Sequence, residues 1–265
     1  MLLGVMLLSD KTNVSALIGD HCAHPLLLGL ANIHMSTHLK PSSDAFLLAA
    51  LLPIPKFIHK NKCMCGVLLD CLLHECLNTV LEPLKQAAHI RIMMNDPLGN
   101  LQLCYTPLVS YVVDTPEACM LAAVGGKTSL VMTAMYLQFG DSFQHPPRMK
   151  RFTLQQLQGI DVNPDDFKEY FKAAQKHCLN GVSKPFFHNW PLSDPSQFFT
   201  PEALHDWHKL SWDHDIKWAI NIISAKELDF RFSVLQPSTG YRHFGEGISH
   251  LTKSLAGCNE MYSSI

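Results

Sequence analysis

Two aspartates stand where a carboxylate is costly to bury without a partner. Asp10 and Asp114 each close an apolar run, residues 4–8 and 101–113, that reads as strand. Two such acids on neighbouring strands can share divalent ions about 3.5–4 Å apart, which activate a nucleophile and hold the leaving oxygen in phosphoryl transfer. Position alone also suits a plainer arrangement, and favours it. In that arrangement Asp10 opens a loop, and Asp114 caps the helix that Thr115-Pro116-Glu117 begins.

A second group lies in residues 204–215 (LHDWHKLSWDHD). On a helix His205 and His208 share a face, so both could ligate one zinc ion, with Asp206, Asp213, His214 and Asp215 as further acceptors. The plainer reading is a polar helix face. Cys63, Cys65, Cys71, His74 and Cys76 are metal-like by count, but their spacing fits no zinc ribbon or finger. They read as small buried hydrophobes. Gly125-Gly126-Lys127-Thr128 imitates the end of a phosphate-binding loop, yet Leu121 stands where that motif needs its first glycine. A turn, and no bound nucleotide, is expected. Residues 147–151 (PRMKR) form a basic cluster that reads as a short solvated loop.

The scaffold for these groups follows from composition and pattern. With 265 residues, 47% hydrophobic and 17% charged, the chain can bury a core, and disorder throughout is excluded. A formal charge of −2 argues against a naked basic nucleic-acid module. Nine cysteines, unevenly spaced, fit free thiols in a reducing compartment better than a disulfide framework. Residues 1–8 lack the basic start of a signal peptide, and residues 45–54 are too short to span a bilayer, so no membrane segment is expected.

Strands are expected at residues 4–8, 25–33 and 45–54, the last leaving a helix open, and one or two more at 101–113, broken near Pro107. Residues 66–88 repeat leucines at three- and four-residue spacing, the mark of an amphipathic helix whose last turn Pro83 should kink or weaken. Residues 96–100 (DPLGN) are a turn. Beyond Gly125-Gly126 the pattern turns helical. Thr153 with Gln156 offers a capping box, Asn163-Pro164-Asp165-Asp166 a second start, and Thr200-Pro201-Glu202 a long helix to about residue 226. Residues 183–196, with three prolines among aromatics, read as an ordered loop. The expected class is an α/β layer fold with a mostly helical insertion, divided at 1–124, 125–226 and 227–265.

The order of several strings resembles the transposases of Plavaka elements, cut-and-paste DNA transposons of mushroom-forming fungi grouped with the CACTA-type superfamily. These are LLSDKT (7–12), PLLLGLANI (25–33), DPLGNLQLCYTPLVSYVVDTPEA (96–118) and GGKTSLVMTAMYLQFGDSFQHPPR (125–148). LNGVSKPFFHNWPLSDPSQFFTPEALHDWHK (179–209) and the segment from ELDFRF to GISHL (227–251) follow in the same order. The resemblance spans residues 4–253 and implies an RNase H-like mixed-sheet core that cuts and transfers DNA strands with magnesium or manganese. It further implies transposon-end DNA as partner, self-association of the full-length protein and a nuclear location.

The implied triad is two aspartates and a glutamate. Asp10 and Asp114 match the first two, and Glu260 is a loose match to the third, one residue out of register, with Glu246 poorer. The superfamily's zinc site joins a Cys-x-x-Cys pair to a later histidine pair. His205 and His208 match the latter, while GGKTSLVM stands where the cysteines would be. The chain is accordingly expected to be a truncated core, inactive alone. The alternatives are a non-catalytic remnant that binds DNA or protein, and a zinc hydrolase.

Overall fold

The computed structural model describes residues 1–14, 22–58, 61–96, 98–201, 211–239 and 243–250. They fall in two compact units, Met1–Pro201 and Glu202–Ile265.

In the first unit the chain enters through β1 (Val5–Ser9), whose residues alternate between buried and half-buried. A two-residue hairpin, β2 (Thr12–Asn13) with β3 (Cys22–Ala23), leads into β4 (Pro25–Leu30). One turn of helix, α1 (Met35–His38), precedes β5 (Phe46–Leu51), which settles residues 45–54 as strand. The three strands form an antiparallel meander in which Leu7 lies opposite Leu28, and Leu28 opposite Leu47.

From β5 the chain passes into α2 (Lys62–Ile90), 29 residues long. Leu73, Leu77 and Leu81 recur every fourth residue and are buried with Val5, Leu7 and Tyr111 in one core. That burial explains why the helix continues for two turns past Pro83. The proline forfeits only the bond to the Thr79 carbonyl, while Ala87 and Ala88 beyond it remain buried. Residues Met64–Ile90 are also long and apolar enough to cross a bilayer. One face of this run, with Leu73, Leu77 and Leu81, is packed into the core.

A hairpin, β6 (Ile92–Asn95) with β7 (Leu101–Cys104), then turns on Asp96, whose carboxylate accepts from the Leu98 and Asn100 N–H groups. After Pro107, β8 (Leu108–Val113) runs parallel to β1, with Leu7 opposite Tyr111 and Leu8 opposite Val112. The helix α3 (Thr115–Leu121) follows at once.

Between α3 and the last strand lie α4 (Lys150–Gln158), α5 (Phe167–Gln175) and α6 (Pro195–Phe198). Two starts differ from expectation. Thr153 lies buried inside α4 rather than at its cap, and Asp166 rather than Asn163 caps α5, accepting from the Glu169 N–H. The proline- and aromatic-rich segment supplies core: Phe186, Phe187 and Trp190 are fully buried, and the Trp190 indole donates to the Thr106 carbonyl.

The first turns of the helix expected from Thr200-Pro201-Glu202 lie outside the described residues. Thr200 and Pro201 belong to β9 (Phe199–Pro201), parallel to β8, where the Phe199 ring stacks on Tyr111. The completed sheet has the order β5-β4-β1-β8-β9, antiparallel on one side of β1 and parallel on the other. This is a mixed-sheet α/β fold.

In the second unit a π-turn, Trp212–Ile216, leads into α7 (Lys217–Ile223). The helix expected to run to about residue 226 ends at Ile223, and Ser224, with a φ of 84°, caps α8 (Ala225–Ser233). Asp229 of α8 accepts from the Ile248 and Ser249 N–H groups.

Candidate functional site

The connections from β1 and from β8 leave in opposite directions, β1 toward β4 and β8 toward β9. In an open α/β sheet, ligands bind outside the carboxyl ends of the strands at such a point. Asp10 directly follows β1 and is exposed; Asp114 directly follows β8 and is half-buried. The last paired positions of the two strands are Leu8 and Val112, so each aspartate comes two residues after one of them. Neighbouring strands lie about 4.8 Å apart.

Asp114 has a second task. Its carboxylate accepts from the Glu117 N–H at 2.8 Å and so caps α3, as the plainer reading held. Pro116 in the first turn of α3 removes an N–H that would otherwise lack a partner.

Beneath this pair sits a polar cluster that pattern reading missed. The Ser9 hydroxyl donates to Glu117 Oε1 at 2.6 Å, and His24 Nε2 lies 3.0 Å from the same oxygen. Ser9 is also 3.2 Å from the Tyr111 hydroxyl. Ser9, His24 and Tyr111 are buried, and the Glu117 side chain is only 14% exposed. Burial, with the Glu117 charge nearby, pushes the Tyr111 phenol above its ordinary pKa, so it stays protonated. In sequence Glu117 reads only as a first-turn acid favoured by the helix dipole. The sole signal of an inward role is the polar Ser9 at a core-facing position of β1.

His205, His208 and Glu260 lie outside the described residues. Glu246 is exposed in the second unit. Among the described residues no three His, Cys, Asp or Glu side chains gather to hold a metal ion. Cys65, Cys71 and Cys76 are half-buried rather than fully buried, and burial raises the Cys71 thiol to about 11. The basic cluster is not a solvated loop. Arg148 is buried, donating to the Ser129 and Met132 carbonyls, and the Lys150 ammonium donates to the Trp190 carbonyl.

Gly125, Gly126, Lys127 and Thr128 line a cavity of about 630 Å³, together with Asp70 and Asn180. Burial raises the Asp70 carboxyl to about 7, opposed by the Asn180 amide that donates to it. Asn180 also donates to the Met120 carbonyl, which takes a second bond from His74 Nε2. The Phe186 N–H donates to His74 Nδ1, so the ring is neutral with its proton on Nε2. Burial holds His74 down at about 4. These groups satisfy one another and tie α2, α3 and the aromatic segment together.

Fold and site thus define an α/β protein with two aspartates at the switch point of a mixed sheet. Residues 1–219 match the family model for the Plavaka transposase. The chain belongs to the Plavaka transposase family, transposable-element proteins that act on DNA. No curated protein matches it.

Proposed function

We propose that this chain is the catalytic core of a cut-and-paste DNA transposase, in which Asp10 and Asp114 hold magnesium or manganese for strand cleavage and transfer. One observation carries the reading: each aspartate directly follows one of two adjacent parallel strands, at the switch point of the sheet. A meander of three strands followed by two strands parallel to the first supports an RNase H-like core, with the helical insertion expected at residues 125–226.

The donor chemistry fits. Carboxylate oxygens are hard ligands that suit magnesium or manganese rather than softer metals. A bound cation would polarise a phosphoryl oxygen and lower the pKa of water. The chain's own part is positional. Asp10 presents its carboxylate to solvent, and the capping bond holds Asp114 at the mouth of α3. Glu260 is the candidate third carboxylate. The substrate is transposon-end DNA, which places the protein's work in the nucleus, and joining both ends of an element calls for two such cores.

The test is cation binding by this chain, which is expected to be inactive alone, with manganese- or magnesium-dependent nicking of terminal-repeat DNA measured on the full-length protein. Asp10→Asn and Asp114→Asn are each expected to abolish nicking and to weaken cation binding at least tenfold. Nicking that survives both substitutions overturns the assignment.

A further inference from the structure

Glu117 touches the chain on both sides of the aspartate pair. Its side chain receives the hydroxyl of Ser9, the residue before Asp10, and its backbone N–H is given to the Asp114 carboxylate. Resting on the two-carboxylate reading above, we propose that Glu117 is the positioning residue that holds Asp10 and Asp114 in register for a divalent cation, with Ser9 and His24 as its anchors.

Three observations carry this. First, a capping bond needs only the backbone N–H of Glu117, and a first-turn acid serving the helix dipole works from the surface. This carboxylate instead turns inward, where its desolvation is costly unless it is hydrogen-bonded. Second, the compensation comes from three separate segments. Ser9 lies on β1, His24 sits just before β4, and Tyr111 of β8 buttresses the Ser9 hydroxyl. A shift of β1 against β8 would break the Ser9 bond, so the cluster resists the motion that would part positions 10 and 114. Third, Glu117 is not itself placed as a ligand. Ser9 is buried on the core face of β1, whereas Asp10, the next residue, is exposed. Successive side chains of a strand point to opposite faces, so Glu117 works from behind the pair. Groups that orient metal-binding carboxylates in this way typically matter 10–100-fold for metal affinity.

The test is manganese binding by the full chain, read from the electron paramagnetic resonance of the free ion, alongside thermal unfolding of each variant. Glu117→Ala is expected to weaken binding about tenfold or more. Glu117→Gln keeps an oxygen that accepts from both Ser9 and His24, and should recover binding to within a few-fold of the unsubstituted chain. Ser9→Ala, a small change in volume, should weaken binding several-fold and serves if Glu117→Ala does not fold. Binding that Asp10→Asn abolishes but Glu117→Ala and Ser9→Ala leave within twofold overturns the positioning role alone. Binding indifferent to Asp10→Asn overturns the two-carboxylate reading, and the positioning role with it.

Discussion

Ser9 and Glu117 are joined by a 2.6 Å hydrogen bond between residues 108 apart in sequence, fastening the end of β1 to the first turn of α3. Because the acceptor is a largely buried carboxylate, losing the donor leaves a desolvated charge with fewer partners. Ser9→Ala is expected to cost about 1–3 kcal/mol in urea unfolding. In a double-mutant cycle with Glu117→Ala the two effects should fall clearly short of additive. Strict additivity would show that the bond does not fasten these elements in solution.

The pH dependence of stability should be governed by two buried groups with opposite slopes. For His74 the folded value of about 4 lies below the free value of 6.5. Its neutral ring therefore contributes stability above about pH 6.5, which is lost as pH falls toward 4. For Asp70 the folded value of about 7 lies above 3.8. Its protonated carboxyl contributes stability in full below pH 3.8, and this is lost as pH rises toward 7. Between about 4 and 6.5 the two largely cancel, so melting temperature should vary little. Asp70→Asn should leave the His74 limb alone, a melting temperature that climbs from pH 4 to 6.5. At pH 8 the same variant should be a few kcal/mol more stable than the unsubstituted chain. Identical profiles for the two proteins would contradict the burial of Asp70.

The aromatic segment makes a third prediction. Trp190 is fully buried and its indole N–H is spent on the Thr106 carbonyl at 2.9 Å. Trp190→Ala should cost about 3–5 kcal/mol in chemical denaturation, the range for a buried aromatic. Leu192→Ala, two residues on but 67% exposed, should stay within about 0.5 kcal/mol. Equal costs at the two positions would mean that the segment does not pack as described.

These contrasts show what sequence can carry. The strands around Leu7, Leu28 and Tyr111 and the leucine ladder of α2 were legible, because burial on one face imposes a period that composition displays. The ends of elements were not. Thr153 and Asn163 both look like caps, but burial of Thr153 in α4 outweighs a cap's roughly 1 kcal/mol, and Asp166 takes the cap of α5. Arg148 shows the same limit for charge. Beside Pro147 and Lys150 it reads as solvated, yet two carbonyls are arranged to receive its guanidinium. The candidate site divides in the same way. Asp10 and Asp114 stand out because an acid ending an apolar run is visible locally. Glu117 does not, since its meaning depends on Ser9, more than a hundred residues earlier.

Asp114 makes the last prediction, because its two tasks can be separated by substitution. As a cap it needs only an oxygen to accept the Glu117 N–H, which asparagine supplies as well as aspartate. As a cation ligand it needs negative charge, which asparagine lacks. Asp114→Asn should therefore fold with unchanged stability while losing most of its manganese affinity and, in the full-length protein, manganese-dependent nicking. Asp114→Ala should lose the same activity and also about 1 kcal/mol of stability with the cap. If the residue were a cap alone, asparagine would preserve both properties and alanine would impair activity only as far as it impairs folding. Urea unfolding and manganese titration on the same three proteins distinguish the two patterns.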